Sequence, residues 1–272
     1  MINIARCNAD DTAGCAHPAA RIAVGDDPGA PALNGATHTL YVPFGANADQ
    51  VAVINTARCN AAMTSGCGQV PSVVNVGEGT YALGVSVKTD TIYAPNAGVP
   101  IATADTVSVI DGATCNGNDH AGCGQLAATL TVETGPYGVA VDDATNTVYI
   151  ANNRDGDAPG TVSVINTATC NGADTTGCHG PFPTAGIGRS PRFAAIDLST
   201  DIVFISDKSS AEVSALNGAT CDAAVTSGCS LPVPQTAVGS LPIGLAVNPI
   251  SNTVYAMTLL VAGRMSILAG QT

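Results

Sequence analysis

The chain has 272 residues, 46% of them hydrophobic, with 21 acidic against 9 basic residues and a net charge of −12. Its apolar runs are only strand-sized, which predicts no membrane-spanning helix, and its acidity disfavours binding to nucleic-acid phosphates or to an anionic membrane surface. Val, Thr, Ala, Gly, Asn and Pro dominate over the helix-favouring Glu, Lys, Gln and Met, a composition typical of strands joined by tight turns.

Five copies of one repeat follow along the chain, and each carries two cysteines separated by seven residues. Successive pairs begin 52, 56, 55 and 51 residues apart. Such a period is typical of a repeat array or a propeller. The pairs are Cys7 and Cys15, Cys59 and Cys67, Cys115 and Cys123, Cys170 and Cys178, and Cys221 and Cys229.

The cysteines predict one disulfide within each loop and an oxidising compartment, secreted or at the cell surface. Zinc is the alternative, but a C-x7-C spacing does not suit it, and the loop histidines His17, His120 and His179 do not recur at one position. We therefore expect no metal and no cofactor. Met1 is followed directly by strand-like residues, so we expect a mature or trimmed chain without its signal peptide.

The third repeat shows the unit most clearly. The sequence predicts strands at Gly138–Asp142, Thr147–Ala151 and Thr161–Asn166 and a fourth near Pro183–Ile187, with a turn at Asp143–Asn146. The cysteine loop lies between the third and fourth strands. Four antiparallel strands in about fifty residues make one propeller blade.

The repeat resembles that of the YVTN-family β-propellers over essentially the whole chain. The resemblance is carried by NTVYIANN and GTVSVINTAT in the third repeat and GPYGVAVD before them, and by DTIYAPN and DTVSVIDGAT from Asp90, with looser copies HTLYVPF from His38 and DIVFISD from Asp201. The cysteine loop is an insertion relative to the usual short turn. The resemblance implies the fold and leaves the function open, because members include surface proteins, binding modules and some enzymes.

The two ends of the chain predict closure of a ring. RMSILAGQT at the C-terminus matches TVSVIDGAT and stops before its cysteine, and the residues from Cys7 onward supply the continuation. We expect an all-β, five-bladed propeller with four antiparallel strands per blade, closed by an N-terminal outer strand at about Arg21–Val24. The predicted single domain divides into blades at about 26–76, 77–132, 133–187, 188–238, and 239–272 plus 1–25. A fragment of a longer propeller is the alternative.

A ligand is expected on the face opposite the disulfide loops, at the channel mouth. Aligned positions there form two rings, which read Gly29, Leu83, Tyr137, Arg192, Ile243 and Phe44, Asn96, Asn152, Asp207, Thr258. Four basic residues of the third and fourth blades fall nearby, opposite an apolar side with Leu241, Leu259 and Leu260. The predicted ligand-binding residues are Tyr137, Asn152, Arg154, Arg189, Arg192, Asp207 and Lys208. Guanidinium groups suit a carboxylate or phosphate, although surface salt bridges would explain the same residues.

Other polar patterns give weaker signals. Asp155 and Asp157 form a D-x-D pair that could hold calcium, but a solvated turn explains them as well. Tyr41, Tyr93 and Tyr149 share one second-strand position with Tyr255, which indicates packing. Nucleophilic catalysis has no support, because no G-x-S-x-G motif or unpaired cysteine is present and His38 aligns with the disulfide face.

The sequence therefore predicts a secreted binding module for a protein, a surface polymer or a small anionic ligand, with no nucleic acid and no membrane insertion. The alternative is a lyase or hydrolase using an acid–base pair such as Asp207 with Tyr137 or Arg192 at the same mouth.

Overall fold

A computed structural model describes residues 4, 6–16, 20–45, 49–154, 158–259 and 264–269. Within them, nineteen strands form five antiparallel sheets, and the single helix is a short 3-10 turn, Ser65–Gly68. This part of the chain holds no helix with the length and apolar character needed to cross a membrane. The predicted all-β class is confirmed.

Each sheet is a meander whose strands hydrogen-bond in chain order. The first sheet contains β1 (Ala32–Asn34), β2 (Thr39–Phe44), β3 (Gln50–Asn55) and β4 (Ser72–Asn75). The second contains β5 (Gly84–Ser86), β6 (Thr91–Asn96), β7 (Thr106–Asp111) and β8 (Ala128–Thr131). The third contains β9 (Pro136–Asp142), β10 (Thr147–Asn152), β11 (Pro159–Asn166) and β12 (Thr184–Arg189). The fourth contains β13 (Pro191–Asp197), β14 (Ile202–Asp207), β15 (Glu212–Asn217) and β16 (Gln235–Ala237). The fifth contains β17 (Pro242–Asn248), β18 (Thr253–Thr258) and β19 (Arg264–Ala269). The four strands predicted in the third repeat are confirmed.

The sheets follow one another with their first strands side by side. Strand β1 contacts β5, β5 contacts β9, β9 contacts β13 and β13 contacts β17. The first two sheets are also joined by a parallel bridge between Ala30 and Ala82. Because Gly138 has no side chain, the backbones of β9 and β13 approach closely: a Cβ there would lie 2.5 Å from the carbonyl oxygen of Arg192.

The hydrophobic core lies between neighbouring sheets. Tyr93 and Val107 of the second sheet pack with Val148 and Ile150 of the third, and all four are fully buried. Along β10, Val148 and Ile150 alternate with Tyr149 and Ala151, which belong to the next cluster, between the third and fourth sheets, so both faces of the strand are buried. The disulfide Cys170–Cys178 belongs to the cluster between the second and third sheets, so the cysteine loops also contribute to the core.

One turn conformation recurs before the second strand of all five sheets. Each copy has a residue in the left-handed region, which Asn, Asp and His tolerate better than most side chains. These residues are His38, Asp90, Asn146, Asp201 and Asn252, with φ of 51°, 47°, 55°, 55° and 46°. They fix which positions are equivalent between repeats.

All ten cysteines form disulfides within their own loops, and this prediction is confirmed. The five bonds have Cα–Cα distances of 4.7–4.8 Å and the same sequence separation of 8. They join Cys7 to Cys15, Cys59 to Cys67, Cys115 to Cys123, Cys170 to Cys178, and Cys221 to Cys229.

In each of these loops the residue after the first cysteine bonds the turn backbone. Asn116 is typical: its Oδ1 accepts from the amides of Asn118 and Asp119 at 2.9 and 3.0 Å. Such bonds from an Asn or Asp side chain to the backbone that follows it stabilise a tight turn. The same local chemistry therefore shapes the loop in every repeat.

The disulfide loops connect neighbouring sheets through two hydrogen bonds. In the second sheet's loop, the Cys115 carbonyl accepts from the hydroxyl of Tyr41 at 2.8 Å and the Gly117 amide donates to Thr39 Oγ1 at 2.8 Å. The third sheet's loop repeats both bonds on Tyr93 and Thr91, at 2.6 and 2.9 Å. The second-strand tyrosines, predicted as packing residues, therefore also act as hydrogen-bond donors between sheets.

The fourth sheet's loop makes only one of these bonds to the third sheet. Its Ala223 amide donates to Thr147 Oγ1 at 2.9 Å. The hydroxyl of Tyr149 is buried and has no partner among the described residues. The repeat therefore provides matched tyrosines with and without the inter-sheet bond.

The expected outer strand at Arg21–Val24 is not a strand in the structure, and the fifth sheet has three strands among the described residues. Ile22 and Val24 instead pack against the cluster of Val42, Ala52 and Ile54 in the first sheet. Closure of the ring stays a prediction.

The inter-sheet bond predicts different outcomes for two equivalent substitutions. Tyr93→Phe leaves the Cys170 carbonyl without this donor and is expected to lower the free energy of unfolding by about 1–2 kcal/mol. Tyr149→Phe removes a hydroxyl that has no partner in the described part of the chain, so it is expected to be neutral or slightly stabilising. Denaturant titration of the two variants beside the parent chain checks this. Equal changes in the two variants would show that the bond from Tyr93 to the Cys170 carbonyl adds no net stability.

Candidate binding site at the crossing segments

Five short segments carry the chain from one sheet into the next. We call 25–29, 77–81, 133–137, 188–192 and 239–243 the crossing segments. Their register follows from the pairing of each first strand with its second, since Asn34 pairs with Thr39, Ser86 with Thr91 and Asp142 with Thr147. Counting back five residues from each first-strand end gives a ring of equivalent positions, Gly29, Tyr81, Tyr137, Arg192 and Ile243.

This register corrects one member of the predicted ring. Tyr81, and not Leu83, occupies the position equivalent to Tyr137. Leu83 is 8% exposed and belongs to the core between the first and second sheets. The sequence comparison missed this by two residues because the second repeat lacks the Pro-Tyr-Gly pattern that marks the third.

Three neighbouring sheets contribute to one stack on this ring. The rings of Tyr81 and Tyr137 are stacked, with centroids 5.0 Å apart and planes inclined by 16°. The guanidinium carbon of Arg192 lies 4.7 Å from the Tyr137 centroid, a cation–π arrangement. Phe193 meets Tyr137 edge-on at 5.6 Å. Burial raises the pKa of the Tyr137 hydroxyl, and the charge of Arg192 opposes that shift.

Arg192 has unused hydrogen-bonding capacity in this stack. Its Nη1 atom is buried and has no partner among the described residues. A buried donor without an acceptor costs free energy that an acceptor from a ligand would recover. Because the residue as a whole is only half-buried, a ligand carboxylate or carbonyl could approach it.

The other predicted basic residues do not occupy ring positions. Arg154 is exposed, and its Nε lies 3.7 Å from Glu133 Oε2. Arg189 is exposed and its backbone amide donates to Ser210 Oγ at 2.7 Å. Lys208 is half-buried. Of the four predicted cations, Arg192 is the one that the structure places on the ring.

Asn152 and Asp207, two of the predicted ligand-binding residues, are buried within their sheets. Asn152 Nδ2 donates to Thr161 and Ser163 at 3.1 and 2.9 Å, and Asp207 Oδ2 accepts from Ser214 Oγ at 2.5 Å. Both residues are 0% exposed. They are parts of a repeated structural contact between the second and third strands.

The second sheet shows what completes this contact. There Asn96 Oδ1 accepts from Thr80 Oγ1 at 2.9 Å. Pro136 and Pro191 stand at the equivalent positions and lack a side-chain donor. As a result the Oδ1 atoms of Asn152 and Asp207 are buried without a partner among the described residues.

No group of three or more potential metal-ligating side chains occurs among the described residues. The pair Asp155 and Asp157, considered for calcium, lies outside the residues that the structure describes.

Asp207 predicts a pH-dependent stability that its asparagine counterparts lack. Burial raises the pKa of its carboxyl to about 7, although the Ser214 hydroxyl lowers it in part. A carboxyl whose folded pKa is raised above its unfolded value of about 4 stabilises the fold fully below pH ~4, and this contribution is lost as pH rises towards ~7. Asp207→Asn is expected to be more stable than the parent chain at pH 8, by a few kcal/mol, and to approach it at pH 4.

Denaturant titration from pH 4 to pH 8 measures this difference. Asn152→Asp is the matched control, because it places a carboxyl at the equivalent position beside Ser163 and is expected to add the same pH dependence. Parallel stability curves for Asp207→Asn and the parent chain would show that Asp207 ionises normally.

Comparison with known proteins gives a fold but no family. No protein-family model matches the chain, and no curated protein matches it. Among solved structures it is similar to one in the crystal structure of the nidogen/laminin complex, with 11% identity and a TM-score of 0.53 over 89% of this chain and 79% of that one. A hydrazine synthase of Kuenenia stuttgartiensis gives 13% identity and a TM-score of 0.54 over 91% and 85%. The structure of U3-55K is also similar, with 8% identity and a TM-score of 0.57 over 85% of this chain and 58% of that one. Together with the five antiparallel sheets, these neighbours point to a β-propeller fold.

Proposed function

We propose that the chain is a secreted, five-bladed, YVTN-like propeller that acts as a binding module. Five disulfides favour an oxidising compartment. One structural neighbour comes from a complex between proteins, nidogen and laminin, which supports a protein partner. The proposed blades keep the predicted boundaries, with the N-terminal residues completing the fifth.

Closure of the ring is supported by equivalent packing at the N-terminal segment. Ile22 and Val24 pack on the first sheet as Val74 and Val76 pack on the second. The crossing segments give a second parallel. A Cβ on Gly77 would lie 2.5 Å from Asn96 Cγ, and Gly25 is close in the same way to the ring of Phe44, which is equivalent to Asn96. The N-terminal segment therefore takes the place of an outer strand facing the next blade.

Deletion of residues 1–25 tests closure. The truncated chain would expose Leu40, Val42 and Ile54 on the first sheet and leave an unpaired strand edge. We expect aggregation or a large loss of thermal stability, measured by light scattering and calorimetry. A truncated chain that stays monomeric and equally stable would contradict the closed ring.

The observation that carries the binding proposal is the buried Nη1 of Arg192 above the Tyr137 ring, which has no partner in the described part of the chain. The stack holds the guanidinium in place, so a carboxylate or phosphate would bind without first ordering a flexible side chain. Such a carboxylate or phosphate could belong to a small anion or to an acidic group on a protein or a surface polymer.

Substitution of Arg192 tests the site against a panel of acetate, succinate and inorganic phosphate in calorimetric titration. Arg192→Ala is expected to cost roughly 1.5–3 kcal/mol of binding free energy, because it removes a charged hydrogen bond. Arg154→Ala, the matched control on an exposed side chain, is expected to cost less. Equal, negligible losses would show that Arg192 is not the binding residue.

An enzyme at the same mouth has less support. The pKa of about 7 at Asp207 would suit proton transfer. Its carboxyl is nevertheless fully buried and bonded to Ser214, whereas a general acid or base must reach the substrate.

A further inference from the structure

The crossing segments begin with glycine in four of the five repeats. These glycines are Gly25, Gly77, Gly188 and Gly239, and the third sheet has Glu133 at the equivalent position. The difference is local, because the ring residue four positions later, Tyr137, keeps its place beside Tyr81.

The second strand of the next sheet comes very close to three of these glycines, Gly25, Gly77 and Gly188. A Cβ on the fourth, Gly239, would lie 3.8 Å from Thr258 Cγ2, and this glycine has a φ of 104°. A Cβ on Gly188 would lie 2.7 Å from the Cβ of Asp207, and one on Gly77 would lie 2.5 Å from Asn96 Cγ. The close approach also makes a hydrogen bond. The amides of Gly77 and Gly188 donate to the third-strand serines Ser108 and Ser214, both at 3.3 Å.

The third sheet lacks this hydrogen bond, which the structure shows in the second and fourth sheets. Ser163, the equivalent serine, accepts from Asn152 Nδ2 at 2.9 Å, but no bond from the Glu133 amide occurs among the described residues. A cavity of ≈ 380 Å³ lies at this place instead. Its wall includes Thr131, Val132, Glu133, Ser163, Phe182 and Thr184. The cavity therefore lies at the one crossing segment that begins with a residue other than glycine, namely Glu133.

The wall combines one carboxylate with hydroxyl groups and apolar surface. Among the described residues, Glu133 is the one charged residue that lines the cavity. Thr131, Ser163 and Thr184 offer hydroxyl oxygens, and Val132 and Phe182 offer apolar surface. A primary ammonium on an aliphatic stem matches all three, because the ammonium needs three acceptors and the stem needs an apolar wall. The net charge of −12 also attracts a cation.

Glu133 is available for such a ligand. Arg154 lies 3.7 Å from its carboxylate, which is beyond hydrogen-bond distance, and both side chains are exposed, at 45% for Arg154 and 43% for Glu133. An ammonium bonded directly to the carboxylate would replace this weak pair.

We propose that the cavity between the second and third sheets is a second binding site, which takes a primary ammonium group on an aliphatic stem. The ammonium would come from a free amine or from a lysine side chain of a protein partner. This site is independent of the Arg192 stack, and its charge preference is opposite.

Calorimetric titration of the full-length, oxidised chain tests the site. The probes are n-butylammonium and Nα-acetyl-lysine amide, with neutral n-butanol and Nα-acetyl-norleucine amide as matched controls. We expect an ammonium probe to bind and its neutral control not to bind. Binding of both ammonium probes would mean that the site accepts either a free amine or a lysine side chain as its ligand. Binding of the lysine derivative alone would identify a protein partner as the source of the ammonium. Failure of both ammonium probes to bind at millimolar concentration would overturn the proposal.

Two substitutions at Glu133 separate charge from shape. Glu133→Gln is expected to weaken ammonium binding by roughly ten- to a hundredfold, through loss of one charged hydrogen bond. Glu133→Gly restores the residue found in the other repeats and is expected to abolish binding while the fold is kept. Arg154→Ala is expected to strengthen binding, because it removes the competing cation.

Glu78→Gln is the control, since Glu78 is an exposed carboxylate in the preceding crossing segment, and it should leave binding unchanged. Arg192→Ala should also leave it unchanged, which distinguishes this site from the proposed anion site. Unaltered ammonium binding in Glu133→Gln would overturn the proposal.

Discussion

Hydrogen bonds from the disulfide loops of the second, third and fourth sheets to the sheet that precedes each one set how these neighbouring sheets sit together. Tyr41 and Tyr93 reach through the core to carbonyls of the next loop, while Thr39 and Thr91 accept from its glycine amides. The disulfide closes the short loop that presents these groups, so it limits the conformations available to them in the unfolded chain. Positions on the opposite face, including the Tyr81–Tyr137–Arg192 stack, depend on this spacing because they bridge sheets as well.

Specialisation within the repeat arises where one copy lacks a contact that another copy makes. Pro136 and Pro191 replace the threonine that satisfies Asn96, and each leaves a buried oxygen on the next strand without a partner among the described residues. Glu133 replaces a glycine, and a cavity opens beside Ser163. A repeat protein carries internal controls for such changes, since the equivalent residues of other sheets show what the contact would otherwise be.

The sequence predicted the all-β class, the strands of the third repeat and all five disulfides, because strand alternation and cysteine spacing are local patterns that repeat along the chain. It did not predict the burial of Asn152 and Asp207, since their serine partners lie on the neighbouring strand. The ring position of Tyr81 was missed because strand register depends on pairing. Arg192 was predicted as the ring cation, but its stacking on Tyr137 depends on contacts between two sheets that no sequence pattern reports.

Amide hydrogen exchange at Gly117 and Gly172 tests the inter-sheet role of the loops most directly. In the oxidised protein, the account predicts protection of both amides comparable to that of core strand amides, because each donates to a threonine of the preceding sheet. Reduction of the disulfides should remove this protection before that of strands β7 and β11. Exchange of both amides in the oxidised protein as fast as in an exposed loop would contradict the account.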